Sequence, residues 1–240
     1  MLHTIKGIVL QTIKYTDSSV VAKIYTNTFG LQSYLVNGVH AKKSLTKVNL
    51  LQPFSLVELV VYHKEKKQLQ RLKEIKCDQP FTSIPFDIAK RCIVIFLDEV
   101  LCKSLHEEEQ NPLLFNFIFN AIQILDLKTD NCANFHLLFL LHLSKHLGFY
   151  PQGNYSHHSF FDLKEGRFKA QTPQHVDFVD IPGSLKFNLL LNSNFDTISA
   201  LQLSGAERKE LLEKIIRYYE LHLTNFKNVN SHLVLQEVIG

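Results

Sequence analysis

The hydrophobic pattern of the chain changes its period near residue 84, and this change limits the possible folds more than any other feature. Before it, short stretches rich in β-branched and aromatic residues alternate with turn residues, as is typical of β-strands. After it, apolar residues recur at helical spacing over longer stretches. The sequence therefore predicts an α+β protein with a β module first and an α-helical domain second.

The first third of the chain predicts five strands. They lie within IKGIVLQTIKY, SSVVAKIYTN, LQSYLVNGV, FSLVELVVYH and LQRLKEIKC. Five short strands at this spacing indicate a small closed barrel, and among barrels of this size the five-stranded OB-fold fits best. Alternation on the second strand predicts that Ala22 and Ile24 face inward, whereas Lys23 and Tyr25 face outward.

The rest of the chain carries the signals of helix starts and ends. Asn111 followed by Pro112 predicts a capped helix start, and Ser204 with Glu207 has the spacing of a capping box. The stretch 134–148 is apolar on nearly all sides, which is typical of a central helix. We therefore predict two domains, an OB-fold at 1–78 and a helical domain at 79–240.

The charges are divided unevenly between these two parts. The net charge of the whole chain is only +3, but residues 1–76 hold twelve Lys or Arg against four Asp or Glu, a net charge of +8. The remaining 164 residues sum to −5. Only the first third therefore has the electrostatic character of a module that binds a polyanion.

The predicted binding surface lies on the barrel and on its polar loop, residues 38–47. We expect cations to hold phosphates and aromatic rings to stack on bases. Lysines on exposed strands also serve as solubilising residues that block aggregation, which leaves a purely structural barrel as an alternative. The candidate nucleic-acid-binding residues are Lys14, Lys23, Tyr25, Tyr34, His40, Lys42, Lys43 and Lys47.

Sequence motifs of catalysis or metal binding are not found. The chain has no P-loop, dinucleotide-binding or nucleophile-elbow motif. His142 and His146 share a helix face, but no HExxH motif joins them, and His157, His158 and His175 form a looser group; a metalloenzyme that uses these histidines is the least favoured alternative. We predict no catalytic residue, no metal and no cofactor.

The sequence also lacks the signals of export and membrane insertion. The amino terminus shows no apolar stretch followed by a cleavage site, and no segment of about 20 residues is apolar throughout. Its four cysteines show no CxxC spacing, which suits reduced thiols. We therefore expect a cytoplasmic protein that does not bind membranes.

Six sequence segments, in the order in which they occur along the chain, resemble the RecO family of bacterial recombination-repair mediators. They are GIVLQTIKYTDSSVVAKIYTNTFG, VNGVHAKKS, LLQPFSLVELVVY, FLDEVL, NPLLFNFIFNAIQILD and FHLLFLLHLSKHLGFYP. The resemblance covers the chain up to about residue 151. It implies an OB-fold joined to a helical domain, and it adds Arg71 to the residues expected to contact DNA.

The resemblance also implies a function and partners. The expected protein binds single- and double-stranded DNA, anneals complementary strands, and with RecR helps to load RecA onto DNA coated by the single-strand-binding protein, whose C-terminal tail it engages. It would be associated with the bacterial nucleoid and would not be an enzyme. The rival is a non-catalytic protein-interaction scaffold with a structural barrel.

One segment departs from the family pattern. Many family members carry a four-cysteine zinc module after the LGFYP-like turn, but this chain has no cysteine after Cys132. We expect a small zinc-free β-hairpin insert at about 152–175 instead. In it, Phe160, Phe161 and Phe168 would replace the ion as a folding centre.

Overall fold

The computed structural model describes residues 2–38, 48–65, 67–106 and 109–239. In these ranges the strands are β1 Leu2–Lys14, β2 Ser19–Thr26, β3 Gly30–Asn37, β4 Leu56–Tyr62, β5 Leu69–Gln79, β6 Phe160–Asp162, β7 Arg167–Lys169 and β8 Phe178–Val179. The α-helices are α1 Ile88–Ser104, α2 Pro112–Leu127, α3 Phe135–His146, α4 Ile181–Leu191, α5 Gly205–His222 and α6 Ser231–Ile239, with a short 3₁₀ helix at Ile198–Ala200. None of the helices in the described ranges is long and apolar enough to cross a membrane.

Strands β1 to β5 form a closed barrel in the order β1-β2-β3-β5-β4. All neighbours pair antiparallel except β3 and β5, which pair in parallel. Its interior is filled by apolar side chains that alternate along the strands, among them Ile5, Val9, Ala22, Ile24 and Leu59. The prediction of a five-stranded OB-type barrel followed by helices is confirmed.

The barrel interior is packed so closely that one strand position requires glycine. A Cβ atom added to Gly7 of β1 would lie 2.6 Å from Ile24 Cγ2 and 3.1 Å from Leu59 Cδ1. The first contact is shorter than packed atoms allow and the second is unusually tight, so a larger residue would push the barrel walls apart.

The chain divides into two compact units. The barrel unit comprises Met1–Thr82 with Asp98–Gln123, and the helical unit comprises Ser83–Leu97 with Ile124–Gly240. Both helix starts predicted from capping residues are present. Asn111 Oδ1 accepts the Leu114 N–H at 3.0 Å, and Ser204 and Glu207 form the reciprocal capping box.

The segment after α3 contains a small hairpin. Strand β6 pairs antiparallel with β7 through three residue pairs and with β8 through two. Phe161 is fully buried, whereas Phe160 and Phe168 are half-buried. At the turn, Gly166 has a φ of +67°, and an added Cβ would lie 2.7 Å from the Tyr218 hydroxyl, so this position also requires glycine.

Helix α1 contains a buried carboxyl group whose charge opposes folding. Asp98 Oδ1 is buried and has no hydrogen-bond partner among the described residues. Burial raises the pKa of this carboxyl to about 8. The folded protein therefore keeps Asp98 protonated at neutral pH.

Asp98→Asn is expected to stabilise the protein at high pH. Folding raises the pKa of Asp98 from 3.8 to about 8. The contribution of Asp98 to the free energy of unfolding is therefore fully present below pH 3.8 and is lost as the pH rises through about 8. The variant should therefore gain about 1–3 kcal/mol over wild type at pH 9 and much less at pH 4. Urea unfolding at both pH values measures this, with the exposed Asp196→Asn as the control; an equal effect at both pH values would contradict it.

Candidate nucleic-acid interface

The outward side chains of the barrel form two adjacent rows across β1, β2, β3 and β5. Residues between them, such as Ala22, Tyr34 and Gln70, are buried, so the alternating positions point outward. Cross-strand pairing defines the first row as Gln11, Lys23, Ser33 and Leu69, and the second as Ile13, Val21, Leu35 and Arg71. This outer surface therefore combines apolar side chains with two cations.

Lys23 and Arg71 lie on strands separated by one intervening strand. At about 4.8 Å between neighbouring strands and about 3.3 Å per residue along a strand, the two strand spacings and the offset of two residues put their backbones roughly 12 Å apart. Both residues are exposed, and neither makes an ion pair with any other residue in the described ranges. Because no described acid neutralises them, both cations can bind phosphate groups of a passing strand.

Lys14 lies at the end of β1 and carries a local counter-ion. Its Nζ atom lies 2.9 Å from Asp17 Oδ1, and both side chains are strongly exposed. An ion pair this exposed contributes little to stability, so a phosphate can replace the carboxylate. Lys14 can therefore also bind a phosphate, but unlike Lys23 and Arg71 it must first give up its ion pair with Asp17.

The two tyrosines predicted to stack on bases are buried, so this prediction is wrong. Tyr34 has the same inward direction as Val36 and is 0% exposed inside the barrel. Tyr25 points outward, but only 3% of it is exposed, because Phe115 of α2 covers it at a ring-centroid distance of 6.2 Å. Neither ring offers a free face to a nucleobase.

The predicted residues of the basic loop lie outside the described residues. They are His40, Lys42, Lys43 and Lys47. The last described residue before them, Gly38, donates its backbone N–H to the Ser18 carbonyl at 2.8 Å. Gly38 therefore lies beside the β1–β2 turn, which directly follows Lys14. The role of the four loop residues stays a prediction.

One aromatic residue of the barrel surface was missed by sequence reasoning. Tyr62, at the end of β4, is 42% exposed and is the cross-strand neighbour of Arg71. Tyr62 directly precedes the polar sequence HKEKK. This position could have indicated an exposed ring, because the last residue of a strand often lies beyond the part of the sheet that other elements cover. Tyr62 supplies the exposed ring that Tyr25 and Tyr34 do not.

The histidines considered as metal ligands do not form a cluster in the described part of the chain. No group of three or more His, Cys, Asp or Glu side chains there is arranged to hold a metal ion. Burial lowers the pKa of His142 and of His146, which favours neutral rings. His175 instead lies 3.3 Å from the buried Asp162 carboxylate. The geometry therefore offers no support for a metalloenzyme.

Comparison with known proteins agrees with this architecture. The family model described as Recombination protein O N terminal matches residues 1–81, and Recombination protein O C terminal matches residues 85–230. A DNA repair protein RecO of Flavobacterium psychrophilum is 40% identical over 98% of both chains. Those of Azobacteroides pseudotrichonymphae and Phocaeicola vulgatus are 37% and 36% identical over 99% and 100% of both chains. The chain belongs to the RecO family of DNA repair proteins.

Proposed function

We propose that this protein binds single- and double-stranded DNA through the cations of its barrel and anneals complementary strands. In the same proposal it acts with RecR to help load RecA onto DNA coated by the single-strand-binding protein, whose C-terminal tail it engages. The observation that carries the DNA-binding step is the pair Lys23 and Arg71, exposed on one outer surface without a described acidic partner. The charge of +8 in the first 76 residues supports it.

Binding of this kind depends on phosphate neutralisation rather than on base sequence. Each phosphate that a lysine or arginine contacts releases a condensed counter-ion, so affinity falls steeply with salt. Contacts to the backbone position a strand without reading its sequence. The same surface can therefore accept any strand, as a repair protein requires.

Annealing follows from the same electrostatics. Two strands repel each other through their phosphates, and a cationic surface that neutralises part of this charge lets them approach. Base pairing then supplies the free energy, so the proposed activity needs no catalytic residue and no nucleotide hydrolysis. RecR and the tail of the single-strand-binding protein enter the proposal from the family resemblance.

The loop lysines test the DNA-binding proposal. Replacing Lys42, Lys43 and Lys47 by alanine should weaken single-strand binding and reduce the slope of log affinity against log salt by up to about 2, at roughly 0.7 per phosphate contact on single strands. Fluorescence anisotropy titrations of labelled oligo(dT) at several salt concentrations measure both quantities.

The control removes the same charge from the helical unit. Lys145, Lys209 and Lys227 are exposed there, and their replacement by alanine should leave the salt slope unchanged. An unchanged slope in the loop variant would reject the loop assignment. If wild-type protein shows no saturable DNA binding even at low salt, the proposal fails and the interaction scaffold with a structural barrel is favoured.

A further inference from the structure

The barrel wall has an opening between β3 and β5. Their parallel ladder consists of three residue pairs, which end at Leu35 with Arg71. Beyond this pair a cavity of about 270 Å³ lies among residues that include Val36, Asn37, Tyr62, Arg71 and Lys73. We call this cavity the β3–β5 opening; it lies within the barrel unit.

The chemistry of the opening suits a planar ring attached to a phosphate. Val36 and Leu72 belong to the barrel core and give it an apolar inner side, while the exposed Tyr62 supplies an aromatic face. Arg71 and Lys73 supply two cations, against Glu74 as the one acid among its described lining residues. Asn37 adds an amide that can both donate and accept hydrogen bonds.

The size of the opening favours one ring over a larger ligand. Pockets for drug-sized molecules have volumes of about 300–1,000 Å³, and the β3–β5 opening lies just below this range. Every nucleobase has a π-face that can stack on a tyrosine, so such a site tolerates any sequence. A base inside a duplex cannot enter, because it must first leave its stack and its partner.

We propose that the β3–β5 opening binds an unpaired nucleobase, which stacks on Tyr62 while Arg71 and Lys73 hold the adjacent phosphates. This inference rests on the proposed DNA binding and adds selectivity to it. The outer cations attract every nucleic-acid backbone, whereas the opening recognises only strands with free bases. Single strands with bases are therefore bound more tightly than strands without them.

The test compares oligo(dT) with an abasic strand of equal length, which has the same phosphates but no bases. In competition anisotropy at fixed salt, wild-type protein should prefer oligo(dT) by about 5- to 100-fold, the range that one stacked base supplies at about 1–3 kcal/mol. Tyr62→Ala should lose most of this preference and keep its affinity for the abasic strand. Tyr62→Phe should retain the preference, because the ring face is unchanged.

Two further variants make the result decisive. Phe86, an 85% exposed aromatic residue of the helical unit, serves as the control, and Phe86→Ala should keep the wild-type preference. Tyr62→Leu keeps the apolar bulk of the strand end without an aromatic face, so it should lose the preference even if Tyr62→Ala does not fold.

The outcomes separate the inference from the proposed function. If Tyr62→Ala and Tyr62→Leu keep the full preference, or lose affinity equally for both strands, the β3–β5 opening is not a base site, although DNA binding stands. If wild-type protein binds neither strand, the proposed function itself has failed.

Discussion

Phe161→Ala is expected to lower the free energy of unfolding by about 3–5 kcal/mol, the usual cost of removing a fully buried phenyl ring. Phe161 is 0% exposed. Its ring centroid lies 4.4 Å from that of Phe187, 5.0 Å from Phe168 and 5.9 Å from Tyr218. Alanine would leave a cavity among these rings, and the rigid helices α4 and α5 cannot close it fully.

The hairpin depends on this ring because its own hydrogen bonds are few. Strands of three residues are too short to be stable alone in water. The hairpin insert was expected to use Phe160, Phe161 and Phe168 as its folding centre in place of an ion. The structure assigns the central position to Phe161, because the other two rings are only half-buried.

Urea unfolding followed by circular dichroism measures the effect of Phe161→Ala. The control is Val176→Ala in the same segment, where the side chain is 86% exposed and the change should stay within about 0.5 kcal/mol. A loss below about 1 kcal/mol for Phe161→Ala would show that the hairpin is held by something other than its aromatic contacts.

A buried carboxylate next to Phe161 stabilises the turn between β6 and β7 through hydrogen bonds. Asp162 is 0% exposed, and its Oδ1 accepts the backbone N–H groups of Lys164 and Glu165 at 2.9 and 3.0 Å. Its Oδ2 lies 2.9 Å from Lys169 Nζ. These bonds to the ionised form outweigh the effect of burial and keep the pKa of Asp162 below its usual value. The segment DLKEG thus contains both the glycine that the turn requires and the aspartate that stabilises it.

Local signals in the sequence predicted the five barrel strands and the starts of α2 and α5, but not the helices α4 and α6. Strand propensity and turn residues identify the barrel, because each strand is bounded by its own polar turn. The capping box of Ser204 and Glu207 identifies the start of α5, since both hydrogen bonds join residues only three positions apart. Features of this kind need no knowledge of distant parts of the chain.

The candidate site was harder to predict because exposure depends on distant residues. Alternation correctly turned Tyr25 outward on β2, but a ring ninety positions later, that of Phe115, covers it. On β3, both alternating sets of positions mix apolar and polar residues, so alternation gave no direction for Tyr34, which lies inside. Tyr62 was missed because β4, LVELVVY, is almost wholly apolar, so alternation gave no outward direction for its last residue. Charge was a better guide than aromatic content, because both Lys23 and Arg71 remain exposed.

The helical unit contains a buried lysine that caps the C-terminal end of a neighbouring helix. Lys90 of α1 is only 4% exposed. Its ammonium group donates to the Ser83 hydroxyl at 2.6 Å and to the carbonyls of Asp126 and Lys128 at 3.0 and 2.5 Å. The last carbonyls of a helix lack partners within it and carry partial negative charge. Lys90 therefore satisfies the C-terminal end of α2.

The same helix end also anchors the segment that leads into α1. Asp126 Oδ1 accepts the backbone N–H groups of Ser83 and Ile84, both at 2.9 Å. The ammonium group of Lys90 joins the Ser83 hydroxyl to the two carbonyls, so one side chain links the start of α1 to the end of α2. Loss of this cation would remove the ammonium donor of the Lys128 carbonyl and one of the two donors of the Asp126 carbonyl, which also accepts the Ser83 hydroxyl.

Lys90→Met is expected to lower the free energy of unfolding by about 2–4 kcal/mol. Methionine has a similar length, but it donates no hydrogen bond, and each buried carbonyl left without a donor costs about 1–3 kcal/mol. Arg91→Met on the same helix is the matched control, because Arg91 is exposed and its loss should stay within about 0.5 kcal/mol. Urea unfolding of both variants at pH 7 measures the difference. Equal stabilities of the two variants would mean that water satisfies the end of α2 and that Lys90 is not needed there.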